Sequence, residues 1–256
     1  MILDEIKEAY VRDLIQKNKR VDGRGLLDYR SISVQKNVLP NAEGSALAYV
    51  GDTKVLAGVK FGVMEPFADR PDEGVVMVGS EFSPVAHPEF QAGPPDERSI
   101  ELARVVDRGI RSAGVVDVAS LAQSNGKVLG VFIDLYTIDH SGNLIDAAAL
   151  AAMAALTTAR VPQYENEKIM KTDSDKPLKL ANTVLTTSFE KIGDKILVDA
   201  NNEEEVASDG RITIATADPE LMCAAQKSGS AGFSQKELDY VIDLAMQKRR
   251  ELKQFI

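Results

Sequence analysis

The 256-residue sequence has no tryptophan, one cysteine, and few aromatic residues, 5% of the chain. Each shortage excludes something. A lone Cys223 cannot form an internal disulfide and fits a reducing cytosol. So few rings make base stacking on an aromatic platform a poor basis for recognising nucleic acid. No apolar run approaches the ~20 residues that cross a bilayer, so no membrane partner is expected. The opening MILDEIKEAYVRDLIQKNKR has early acidic residues and no signal-type apolar stretch, which points to a cytoplasmic protein. Positive charge is scarce too: 30 Lys and Arg face 39 Asp and Glu, a net charge of −9. Such a chain attracts phosphate only where its cations gather locally.

What is present is an ordinary globular composition, 44% hydrophobic and 27% charged, rich enough in apolar residues to build a core. Apolar residues at helical spacing predict an amphipathic helix over 2–15, followed by the charged, Gly-punctuated loop KNKRVDGRGLLDYR. From Arg30 the period becomes two. RSISVQKNVL, SALAYVGD and TKVLAGVKFGV read as half-buried strands, with Gly51-Asp52 as a hairpin turn. After SPVAHPEFQAGPPDE a helix starts near Asp96 and ends at Gly114, a fitting C-cap. KVLGVFIDLYTIDH predicts a long strand, the turn HSGN follows, and LIDAAALAAMAALTTAR predicts a helix packed tightly against a sheet. The polar connection 161–177 is the best internal boundary. Beyond it, ANTVLTTSFEKIGDKILVDA and GRITIATAD predict three strands, then a helix near Cys223 and a terminal helix from Ser234 to Lys253. This order describes an α/β (α+β) chain of two lobes: an N-terminal helix (1–20), a first lobe (21–165) and a smaller second lobe (166–256).

Several segments together resemble one family. VDGRGLLDYR with AEGSALAYVGDTKVLAGVK is similar to the opening of ribonuclease PH-like proteins. GPPDERSIELARVVDRGIR and GNLIDAAALAAMAAL are similar to the archaeal exosome ring subunit that lacks catalysis. DGR and ELAR are weak patterns singly; their order over nearly the whole chain carries the resemblance. It implies a ribonuclease PH-like fold of two ribosomal-protein-S5-domain-2-like lobes. It also implies a hexameric ring alternating with a catalytic sister subunit, S1-domain cap proteins, and single-stranded RNA shortened by phosphate from its 3′ end.

Phosphorolysis needs cationic donors to hold phosphate and a proton or metal for the departing oxygen. Where the resemblance implies a phosphate-binding Gly-Thr-Arg turn, this chain reads Gly142-Asn143-Leu144. Leucine donates no hydrogen bond, and each charge-assisted bond lost is worth about 1.5–3 kcal/mol. Where active members carry an alternating Asp pattern, Asp199 is kept, Asn201 replaces a second carboxylate, and Glu205 stands at the position of the acid. A displaced general acid forfeits roughly 10²–10⁴ in rate. The expectation is a chain with no catalytic residues, cofactor or metal. The rival expectation is an active phosphate-dependent exoribonuclease. A small-molecule kinase of similar fold is disfavoured because the required Gly-rich phosphate loop is missing.

The acidic run 199–205 reads otherwise as a solvated surface turn, and Asp134, Asp139, His140 and Asp146 as structural residues around a hairpin. His87, between prolines, carries no signal. On the helix after Asp96, Ile100, Ala103, Val106 and Ile110 predict the buried stripe. Arg104, Arg108 and Arg111 share another face, and with the resemblance they are the candidate RNA-binding residues. The plainer reading pairs Glu101 with Arg104 or Arg108 and Asp107 with Arg111, leaving a ring spacer without RNA contact. Arg24 and Arg30 are expected in structural or interface roles. Lys248, Arg249 and Arg250 are expected to complement the terminal helix dipole.

Overall fold

The computed structural model describes residues 2–123, 126–165, 168–170 and 176–256. Helix α1 (Ile2–Gln16) is followed by an irregular loop through Ser31. Five strands then form one sheet: β1 (Ile32–Lys36), β2 (Gly44–Val50), β3 (Thr53–Met64), β4 (Val75–Phe82) and β5 (Val128–Asp139), in the order β1-β2-β3-β5-β4. All neighbours are antiparallel except β4 and β5. Helix α2 (Glu97–Ser112) lies between β4 and β5 in sequence, and α3 (Leu144–Thr158) follows β5. After the short hairpin β6 (Tyr164–Glu165) and β7 (Lys168–Ile169), a second sheet contains β8 (Val184–Ile192), β9 (Lys195–Val198), β10 (Gly210–Ala217) and β11 (Leu221–Gly229). Its order is β11-β10-β8-β9, and it carries the short helix α4 (Asn202–Val206) and the terminal helix α5 (Gln235–Leu252).

The alanine-rich helix explains how the lobes join. Residues 145–156 of α3 are all buried, because α3 packs on β2 and β3 on one side and on β8 on the other. Small side chains let both sheets approach. At Gly44 an added Cβ would come within 2.5 Å of the Ala155 carbonyl, so glycine there is a condition of that packing. Helix α2 packs on β4, α3, β8 and β11, and α5 covers the far side of the second sheet through Val241, Leu244 and Ala245 against Phe189, Ile212 and Ile214. Helix α1 docks on the second lobe, burying Val11 and Ile15 with Ile192, Leu197 and Ala207.

Helix α2 starts where its cap predicts: the Asp96 carboxylate accepts from Ser99 N at 2.9 Å. It ends in a Schellman motif, with Gly114 N donating to Arg111 O at 3.0 Å and Val115 N to Ile110 O at 3.1 Å. Gly114 has φ +59°, where glycine avoids the Cβ penalty.

Four local expectations fail. No strand was expected at Val75–Phe82, yet VVMVGSEF forms β4, parallel to β5. The segment around Cys223 is not a helix but edge strand β11, paired to β10 over its length. Its Leu, Met, Ala and Gln favour helix weakly, and ladder hydrogen bonds override that preference. Ile100 is 47% exposed; Leu102, at 3%, takes its place in the buried stripe. The terminal basic residues do more than complement a dipole. Arg249 is 2% exposed and donates to Thr216 O at 2.6 Å and Thr183 Oγ1 at 2.8 Å, while Lys248 pairs with Glu251.

The expected boundary in 161–177 lies partly outside the described residues. Around it, Val161 N donates to Lys176 O and Leu178 N to Ala159 O, both at 2.8 Å, so the chain leaves and returns at one point.

Candidate functional site

The residues singled out by sequence converge on the seam between the lobes. Gly142 and Asn143 form the turn into α3, at φ +91° and +56°. Gly142 sits against Ala200 and Asn201, where any Cβ would collide with their backbone. This contact brings the first lobe's turn onto the acidic segment of the second.

Asp199 is fully buried at φ +53° and is surrounded by donors. Its Oδ2 accepts from Arg30 N at 2.8 Å, Arg30 Nε at 2.9 Å and Arg24 Nη1 at 2.9 Å. Its Oδ1 accepts from Arg30 Nη2 at 2.8 Å and Asn143 Nδ2 at 2.9 Å. Burial works to raise the Asp199 carboxyl, but the Arg30 hydrogen bonds and charge outweigh it and hold the group below its ordinary value. Arg30 also donates to Ser141 O at 2.6 Å and Gly142 O at 3.1 Å, tying the turn to the same carboxylate. The structural roles expected for Arg24 and Arg30 are therefore seen.

The acidic run is not a solvated turn. Asn201 caps α4, and Glu204 completes a capping box with it. Glu204 is buried and paired with buried Arg20, which also donates to Val198 O at 2.9 Å and Asp199 O at 2.7 Å. Sequence reasoning passed over Arg20 and Glu204, although Asn-x-x-Glu at 201–204 was a legible capping signature. Asp146 is another buried anchor. Its carboxylate accepts from Ser188 N at 3.0 Å, Ser188 Oγ at 2.9 Å, Tyr29 Oη at 3.1 Å and Asn143 Nδ2 at 3.1 Å. Burial pushes it up to about 6 despite these bonds.

At the N-terminus of α3 the Asn143 N–H points at an anion, as helix starts favour. That anion is internal: Glu205 Oε1 accepts it at 2.8 Å. Burial, then the nearby Glu190, pushes Glu205 up to about 7. Leu144 and Glu205 line a cavity of about 130 Å³ with Arg98, His140, Glu101 and Arg211. The cavity's cations are already matched. Arg98 pairs with Glu89 at 3.0 Å and Asp96 at 3.2 Å, and Arg211 lies 3.7 Å from Glu101 and 3.9 Å from Glu190. His140 is pushed down to about 4 by burial and then by neighbouring His87 and Arg98, so it is neutral at pH 7. Asp139 pairs with Lys54 at 3.0 Å rather than joining this group. Among the described residues no three His, Cys, Asp or Glu side chains are arranged to hold a metal ion.

Arg104, Arg108 and Arg111 lie elsewhere, on the exposed face of α2. Glu101 pairs with neither Arg104 nor Arg108, because its partner is Arg211. Arg108 Nη1 donates to Gln226 Oε1 at 2.9 Å, a neutral contact that leaves its charge uncompensated. Arg104 has no hydrogen-bond or ion-pair partner among the described residues. Both line a groove of about 350 Å³ between α2 and β11. Arg111 differs: it pairs with Asp107 at 2.8 Å, as expected, and donates to Val76 O.

Two sheet-and-helix lobes sharing one buried helix, with an acidic turn set against that helix's start, define a ribonuclease PH-type protein. Residues 28–162 match domain 1 of the 3′ exoribonuclease family and residues 182–248 match domain 2. The chain belongs to that family. It is 42% identical over 258 residues to the exosome complex component Rrp42 of Thermococcus onnurineus (strain NA1), covering 99% of this chain and 95% of the relative. Among solved structures it is similar to a chain of the Archaeoglobus fulgidus exosome with RNA bound to the active site, with TM-score 0.92, 42% identity and 99% coverage of both chains. It is also similar to a chain of an archaeal exosome core, with TM-score 0.88, 39% identity and coverage of 99% and 98%. No helix among the described residues is long and apolar enough to cross a membrane.

Proposed function

We propose that this chain is a non-catalytic ring subunit of a cytoplasmic exosome that degrades RNA phosphorolytically from its 3′ end. In this reading it alternates with a catalytic ribonuclease PH-like sister in a hexameric ring beneath S1-domain cap proteins. It shapes the sister's site and offers Arg104 and Arg108 to the backbone of single-stranded RNA. Arg111, already held by Asp107 and Val76 O, contributes less.

One observation carries the non-catalytic half of the reading. The helix start that could bind phosphate already binds the chain's own Glu205, and the adjacent side chain is Leu144. An incoming phosphate would meet a carboxylate and an isobutyl group, without the bidentate guanidinium that such a site needs. The relatives named exosome components supply the rest.

The test is digestion of oligo(A) with inorganic phosphate. The isolated chain should release no nucleoside diphosphates and should not polymerise them in reverse. Mixed with its catalytic homologue, it should form a defined particle larger than a heterodimer that does degrade the RNA. Turnover by the purified chain alone, abolished by an Asp199→Ala change, would establish the active-enzyme alternative.

A further inference from the structure

The first sheet has a second face, turned away from α2 and α3. Strand alternation and register place Lys54, Leu56 and Lys60 of β3, Phe132, Asp134 and Tyr136 of β5, and Met77 and Glu81 of β4 on it. Tyr136 is 39% exposed, Ile138 41% and Met77 36%. Adjacent strands lie about 4.8 Å apart and rise about 3.3 Å per residue, so the face spans about 20 Å by about 30 Å. That scale matches the ~800 Å² each partner buries in a standard interface.

Its charges are unbalanced in one place. The two lysines are spent at the margins, Lys54 on Asp139 at 3.0 Å and Lys60 on Glu43 at 2.6 Å. Asp134 and Glu81, in adjacent rows at the centre, have no hydrogen-bond or ion-pair partner among the described residues. Asp134 faces Gly58 on β3 and Gly79 on β4. Its Oδ1 lies 3.2 Å from where a Cβ on Gly79 would stand, so the glycines leave the carboxylate in an open trough. Phe132 and Tyr136 flank it along the same strand face. Beyond Glu81 and Tyr136 the trough opens into a cleft of about 740 Å³ under the loop 83–96, whose charged lining includes Glu89 and Asp96 against a single cation, Arg98.

A half-buried carboxylate between two rings, with a second carboxylate beside it, suits a guanidinium. Arginine can bond a carboxylate bidentately while lying on an aromatic face, and it loses less hydration than lysine. An RNA phosphate would be repelled. We propose that this face docks a neighbouring subunit of the ring, whose arginine side chain enters the glycine trough and pairs with Asp134 and Glu81 beside Tyr136. The inference rests on the ring-subunit reading above.

Burial and Glu81 together raise the Asp134 carboxyl above its ordinary value, so in the free chain its charge is unfavourable. Asp134→Asn should therefore raise the melting temperature of the isolated chain slightly while weakening its association. The experiment mixes the purified catalytic homologue with wild-type, Asp134→Asn and Asp134→Arg chains and follows assembly by sedimentation against concentration and salt. Asn should weaken association at least tenfold and flatten its salt dependence, and Arg should abolish it. Tyr136→Leu, which keeps apolar area but removes the stacking ring, should weaken it severalfold. Equal assembly by wild type and Asp134→Asn would overturn the docking inference and leave the ring reading intact. An Asn variant that melts lower than wild type would also overturn it, by making Asp134 a structural residue. Failure of wild type itself to assemble would count against the ring reading, and the inference would fall with it.

Discussion

At the scale of single residues, two buried carboxylates at the seam are raised for the same reason and should respond to substitution in opposite ways. Glu205 accepts one backbone N–H and sits near Glu190. Its folded value of about 7 lies above the ordinary 4.5, so the folded chain binds the extra proton between those values. Stability from this group is highest at low pH and is lost as pH rises through that window. Glu205→Gln keeps an acceptor for Asn143 N and removes the charge, so it should raise the melting temperature at pH 8 and change it little at pH 4.5, a difference of order 1–3 kcal/mol. Thermal melts at the two pH values check this; an equal shift at both would mean that charge is not the cause. Asp146 is also raised, to about 6, but four donors point at it. Asp146→Asn would turn an amide N–H toward at least one of them, leaving buried donors unmet at about 1–3 kcal/mol each, so it should destabilise at every pH. Leu144, Asn201 and Glu205 could be picked out in the sequence because residue type alone shows what they cannot donate. That Glu205 fills the helix start could not, since it depends on Gly142 seating against the 200–201 turn across the lobes.

At the scale of elements, α2 was legible from its cap to its glycine stop, because both signals are local. Its partners were not. Glu101 is one turn from Arg104 and Arg108 yet pairs with Arg211 on β10, a strand more than a hundred residues away whose position no local pattern encodes. The same limit explains β4 and β11, an edge strand at each sheet, where one exposed side weakens the alternation that marks central strands. Freed from Glu101, Arg104 and Arg108 make a direct test possible. In an intact ring, replacing both with Gln should weaken single-stranded RNA binding alike across sequences. The log–log salt slope should flatten by about 0.7 per lost contact. RNA degradation should slow as well, since the substrate is held in register less often. Unchanged affinity and slope would make the pair a structural feature of the groove with Gln226. Arg111→Gln should behave differently, costing about 1 kcal/mol of stability through its lost bond to Val76 O and leaving the slope alone.

At the scale of the whole molecule, the two lobes are legible as a repeated order of strands and helices, but their dependence on each other is not. Helix α3 belongs to the first lobe by sequence and to both by packing: Val184, Leu185 and Ala215 of the second sheet share one buried cluster with it and with the first sheet. Buried polar groups cross the same seam, where Asp146 holds Ser188 and Asp199 holds Arg24, Arg30 and Asn143. Separating the lobes would expose one side of α3 and strand Asp199 without its cations, a loss of several kcal/mol for a buried charge left unpaired. Chains of this length often unfold in steps. This one should unfold in a single transition, because neither lobe has a complete core without the other. Calorimetry should give a van't Hoff enthalpy equal to the calorimetric one. Residues 182–256 expressed alone should show a largely unfolded circular dichroism spectrum, even though Phe189, Ile214 and Leu244 give that segment a small core of its own. Two resolved transitions, or a folded second lobe in isolation, would mean that the seam is an interface between independent domains and that α3 is only its lining.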